Sequence, residues 1–182
     1  MAATRFDPFA DRLCRDIRND LSAAFVRGLA RQDLAPVEAA AAGFLSRDLP
    51  GLYRDYIAAR LKKYRQALAL IQVRRLDSTL ARALVLWDEE LFFEVHELLE
   101  PAWLAAVGQE KMILQALIRA AGTYVQLERG NREGARKMAA RAQATLAANR
   151  AVVSPLFDLD LLLDKLGRLD PMPPRLRKET PP

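Results

Sequence analysis

One histidine and one cysteine are all that 182 residues provide of the two most versatile ligand and nucleophile side chains. The lone Cys14 excludes an internal disulfide and fits a reducing cytoplasm. Arg15 stands beside it, but no imidazole lies in sequence reach, so Cys14 reads as buried filler rather than a nucleophile. Long hydrophobic runs are missing as well. No window approaches the roughly 20 uncharged apolar residues of a membrane span, which argues against a membrane partner. The start, MAATRFDPFADRL, carries Asp7 and Asp11 and lacks an apolar core, so no secretory signal is read there. Period-two alternation of β-branched residues is nearly absent, and with it any strand. The net charge of +5 comes without an RGG run, an aromatic RNA-binding signature or a basic heptad region. Nucleic acid is therefore disfavoured as a partner. No internal repeat is evident.

What the chain does have is helix formers. Apolar residues make up 51% and charged residues 28%, the balance of a folded protein with a solvated surface. The expectation is an all-α bundle of about seven or eight helices with no sheet. Residues 1–76 read as an N-terminal helical extension, 77–168 as a motif-bearing helical bundle, and 169–182 as a disordered, Pro-rich tail. In the extension, Asp7 is expected to cap a helix from Pro8 to Ala30 with Leu13, Ile17, Leu21, Phe25 and Leu29 inward. A short helix from Pro36 to Leu45 follows. The next, from Leu52 to Val73, is expected to bury Tyr53, Tyr56, Ile57, Leu61, Tyr64, Leu68 and Ile71 and turn Arg54, Arg60, Lys62, Lys63 and Arg65 to solvent.

In the second part, Asp77-Ser78 can cap a helix from Thr79 to Trp87. A motif helix is expected over 89–107, kinked or restarted at Pro101 and ended by Gly108. A central helix over 109–129 is apolar nearly all round. Gly130 closes it, and Asn131 caps the helix from Arg132 to Arg150. A last short helix over 159–166 has Gly167 as its stop. Trp87 and Trp103 read first as packing residues.

The single imidazole, His96, sits among Glu94, Glu97 and Glu100 in the apolar run LFFEVHELLEPAW. Charges are costly to bury unless something pairs with them. On a helical wheel His96 and Glu100 are one turn apart, with Phe93, Glu97 and Trp103 nearby and Glu94 off to one side. Gln115, Arg119, Gly122 and Gln126 form a narrow polar stripe on the central helix. The two stripes are expected to face each other, with Arg119 paired to Glu100 or Glu97 and Gln115 bonded into the same network.

Three uses of this cluster follow. It can be a satisfied polar core that fixes helix register. It can hold a divalent metal: His96-Glu97-Leu98-Leu99-Glu100 resembles the HExxH zinc helix with Glu100 in place of the second histidine, although Arg119 would repel a cation. It can perform acid–base chemistry, but no nucleophile or oxyanion hole is identifiable, so the catalytic residues stay unknown. The leading reading is a binding or structural module without a cofactor. The alternatives are a metal-dependent hydrolase of unknown substrate, with His96, Glu97 and Glu100 as ligands, and a homodimer formed through the amphipathic N-terminal helices.

Phe92-Phe93-Glu94, His96-Glu97, Glu100 and Trp103, then Gln115 to Ile118, then Gly130-Asn131 with Gly134-Ala135, together resemble the helical family called domain of unknown function 309. The resemblance covers residues 79–146. It implies an all-α fold and a predicted metal-dependent hydrolase with no settled activity. This chain departs from the family pattern at Ala116, Arg119 and Gln126, where glycine, glutamine and histidine are usual. The last two departures add a cation and remove a ligand.

Overall fold

The structure, a computed structural model, describes residues 5–177. Among them are nine helices and no strand, as the excess of helix formers and the lack of period-two alternation require. Among the described residues no helix is long and apolar enough to cross a membrane. The chain divides into two compact units after Arg75.

The first unit holds α1 (Arg12–Leu29), α2 (Ala35–Leu45) and α3 (Gly51–Val73). The cap of α1 is Asp11, not Asp7. The Asp11 carboxylate accepts the Cys14 N–H at 2.9 Å and the Tyr53 hydroxyl at 3.0 Å, while Asp7 accepts the Phe9 N–H in the preceding turn. The inward stripe of α1 is Cys14, Ile17, Leu21, Phe25 and Leu29, with Leu13 only half-buried. Phe25 stacks on Tyr64 of α3 with centroids 4.1 Å apart. Along α3 Ile57, Tyr64, Leu68 and Ile71 are buried and Tyr53, Tyr56 and Leu61 only half-buried. Arg54, Lys62 and Arg65 are exposed and Arg60 and Lys63 half-buried, with Arg54 donating to the Leu49 carbonyl and Arg65 paired with Glu38.

The second unit runs from α4 (Thr79–Asp88) and α5 (Phe92–Ala105) through α6 (Gly108–Glu128) and α7 (Arg132–Ala148) to α8 (Arg150–Val153) and α9 (Leu159–Arg168). Ser78 caps α4 by accepting the Ala81 N–H at 3.1 Å. A tight reversal separates α4 from α5 where the sequence suggested one helical start at Glu89. Glu90 adopts φ 56°, and the Leu91 N–H reaches back to the Leu86 carbonyl at 2.8 Å. This is a Schellman closure, usually made by glycine, here followed by the fully buried Leu91. α5 continues through Pro101 to Ala105, and Gly108, with φ 58°, opens α6 rather than closing α5. Gly167 lies inside α9, and the stop is the left-handed Leu169.

α6 is central and packs on both α5 and α7. Ile113, Leu117, Ala120, Ala121 and Tyr124 are buried along it. Small residues on α7, Ala135, Ala139 and Ala142, let the two helices approach. At Gly122 a Cβ would stand 2.9 Å from Met138 Sδ, so that crossing leaves little room for a side chain. Trp87, Phe92 and Tyr124 form an aromatic cluster with centroids 5.0–5.4 Å apart.

The expectation of a disordered tail from residue 169 is corrected as far as Arg177; residues 178–182 lie outside the described ones. Trp87 Nε1 donates to the Pro174 carbonyl at 2.9 Å. The Asp88 carboxylate accepts the Leu176 N–H and Arg177 Nε, both at 2.7 Å, and Leu176 is fully buried. A Pro-rich segment has few backbone donors to satisfy, and the Asp88 carboxylate, the Trp87 indole and the Asp158 N–H, which donates to the Leu176 carbonyl at 3.3 Å, take up much of its polar backbone.

Candidate functional site

α5 and α6 each present a polar stripe at one-turn spacing, His96 with Glu100 and Gln115 with Arg119. The two stripes meet at a cleft of about 280 Å³ lined by His96, Glu100, Trp103, Gln115, Ile118 and Arg119. All six are half-buried. The packing of α5 on α6 brings the stripes together, while the buried faces of both helices, Phe92, Val95 and Leu99 on α5 and Leu117, Ala120 and Ala121 on α6, are apolar.

Within the cluster His96 Nδ1 lies 3.2 Å from Glu97 Oε1. That contact orients the ring and leaves Nε2 as its other polar atom. One ligand atom each of His96, Glu97 and Glu100 lies within 4.8 Å of the others. One imidazole nitrogen and two carboxylate oxygens make a donor set that suits a borderline divalent cation, but Arg119 lines the same cleft.

The Arg119 pairing expected from sequence is not formed. Among the described residues no ion pair or hydrogen bond joins its guanidinium to Glu97 or Glu100, and Gln115 bonds to neither. The cluster is not a sealed polar core either. Its charges face a cleft, where water solvates them and removes the need to pair. Glu94 alone is fully buried, and it does not line the cleft. Gln126, placed in the same stripe by spacing, works at the other end of α6. Its Oε1 accepts from Asn131 Nδ2 at 2.7 Å.

Asn131 and Gly134 belong to that turn rather than to the cleft. Gly130 closes α6 with φ 80°, and Asn131 Oδ1 caps α7 by accepting the Gly134 N–H at 3.1 Å. Ile118 and Lys111 were not placed in the polar cluster from sequence. Ile118 lines the cleft, and Lys111 Nζ lies 5.6 Å over the Trp103 ring. Helical spacing carried the signal for Lys111, which is one turn before Gln115 on α6. Trp103 is half-buried with its Nε1 enclosed and unbonded.

The aromatic–Glu–x–His–Glu helix, the polar stripe behind it and the Gly–Asn turn now stand in one unit. Residues 80–138 match the domain of unknown function DUF309. The chain therefore resembles DUF309 across α4, α5, α6 and the start of α7, the segment that carries the whole cleft. The first unit lies outside the DUF309 match. No curated protein and no solved structure matches the chain.

Proposed function

We propose that the chain is a cytoplasmic binding module whose cleft between α5 and α6 takes a small polar ligand. The observation that carries this reading is that groups of both charge signs, Glu100 and Arg119, line one cleft and are left open to solvent rather than closed on each other. A cluster that served only to set helix register would gain by pairing its charges and excluding water. A concave site with a few convergent polar groups and an apolar wall is the usual form of a small-molecule site. Here Trp103 and Ile118 supply that wall.

The test is a screen of small polar metabolites, read by the ¹⁵N–¹H signal of the Trp103 indole. The chain has two tryptophans, and Trp87 is buried away from the cleft, so one signal should move and the other stay. Binding should weaken in His96→Ala and Arg119→Met. Ligands that shift neither indole, or that bind both variants as tightly as wild type, would end the proposal.

A metal-dependent hydrolase is the second reading, favoured by the proximity of His96, Glu97 and Glu100. These three would hold the ion, which when bound would activate a water or polarise a carbonyl. Metal analysis of protein purified without chelator, repeated on His96→Ala, decides it. Stoichiometric metal lost in the variant supports it, and metal-free wild type that acquires none from added Zn²⁺ or Mn²⁺ removes it. A homodimer through the N-terminal helices is a third reading, and light scattering that finds a monomer at high concentration ends it.

A further inference from the structure

We infer that the ligand of this cleft is a small zwitterion of the amino-acid type, with its ammonium toward Glu100 and its carboxylate toward Arg119. This rests on the ligand-binding reading of the cleft and adds the chemical class.

The two charged walls belong to different helices. Glu100 is on α5, one turn beyond His96, with Glu97 held against the imidazole at 3.2 Å beside it. Arg119 is on α6, one turn beyond Gln115. Both line the cleft and no ion pair spans it. A purely anionic ligand drawn to Arg119 would meet the Glu100 carboxylate, and a purely cationic one drawn to Glu100 would meet the guanidinium. Each would carry a like-charge penalty in a half-desolvated site. A molecule with both charges in the reverse order satisfies both walls at once, and the guanidinium fork suits a carboxylate. Gln115 offers an amide donor and acceptor beside it, and Trp103 with Ile118 gives the rest of the ligand an apolar surface. The volume of about 280 Å³ suits a molecule of amino-acid size.

The experiment uses the full chain in chelator-treated buffer and the proteinogenic L-amino acids as probes, read by calorimetry and by the Trp103 indole signal. The tightest binder is then compared with its carboxamide, which lacks the negative charge, and with its deaminated acid, which lacks the positive one. The expected result is that each analogue binds about tenfold or more weakly than the parent. Arg119→Met should abolish the preference over the carboxamide, and Glu100→Gln the preference over the deaminated acid. The comparison of analogues on wild type stands even if a variant fails to fold.

A deaminated acid that binds as tightly as its parent overturns the zwitterion while leaving the cleft a ligand site. So does a panel in which no amino acid shifts Trp103 but another class of metabolite does. If nothing shifts Trp103, both this inference and the binding reading fail. Binding that appears only with added Zn²⁺ or Mn²⁺ replaces the zwitterion with the metal reading.

Discussion

Asn131 and Gly134 are matched to each other. The Asn131 carboxamide accepts the Gly134 N–H at 3.1 Å, and a Cβ on residue 134 would stand 2.5 Å from Asn131 Nδ2. The cap that starts α7 thus excludes a side chain one turn later. Asn131→Ala should cost about 1 kcal/mol through the lost cap. Gly134→Ala alone should also destabilise, because the amide must be pushed away from both Gly134 and Gln126. In the Asn131→Ala background the amide is gone and only Gln126 Oε1, freed from its Asn131 bond, stays close at 3.2 Å, so the same Gly134→Ala change should stabilise by up to about 1 kcal/mol, the helical advantage of alanine over glycine. Urea denaturation of the four proteins measures this reversal of sign. Two additive penalties would sink the idea.

Arg119→Met should change stability by less than about 1 kcal/mol, since the guanidinium is half-exposed and makes no ion pair with the cleft carboxylates. Thermal melting checks this. A loss of several kcal/mol would restore the buried-network reading that the sequence suggested.

The strap over α4 depends on Asp88, whose side chain is 3% exposed and accepts from Leu176 and Arg177. Asp88→Ala leaves a part-buried guanidinium and a backbone N–H without their acceptor, at a cost of about 3 kcal/mol. Truncation after Leu169 should move the denaturation midpoint in the same direction, because it uncovers Trp87 and Asp88 together. A truncated chain as stable as the full one would show that the strap contributes nothing.

Tyr124 has a different signature. Burial, reinforced by the nearby Asp170 carboxylate, pushes its hydroxyl far above the ordinary phenol range, and that hydroxyl has no hydrogen-bond partner. The unfolded chain loses the proton near the ordinary phenol value of about 10, whereas the folded chain keeps it, so stability is full below that pH and falls above it. Tyr124→Phe should remove part of this alkaline loss and be neutral or slightly stabilising at pH 7. Denaturation midpoints from pH 8 to 11 provide the comparison, and an unchanged alkaline slope would count against the assignment.

Much of the helical plan was legible in the residues. Ser78 and Asn131 announced their caps, Gly130 its stop, and the four-residue recurrence of Ile17, Leu21, Phe25 and Leu29 its buried face. These signals are local: a cap needs only its own side chain within three residues, and a stripe only the helical period. The reversal at Glu90 and the stop at Leu169 were not legible. Both are left-handed positions occupied by residues other than glycine, held by backbone bonds that return to the preceding helix.

By itself, then, the sequence determined that the chain is helical and that His96 with Glu100, and Gln115 with Arg119, form stripes on two helices. Only the tertiary structure decided that these stripes line a cleft instead of a sealed core, that Arg119 pairs with neither Glu97 nor Glu100, that Glu94 is buried apart from the cleft, and that the segment to Arg177 is strapped onto α4. The physical reason is that periodicity gives the direction in which a side chain leaves its helix, while the cost of its charge depends on what covers it there. That cover comes from elements distant in the chain, and no local pattern encodes it.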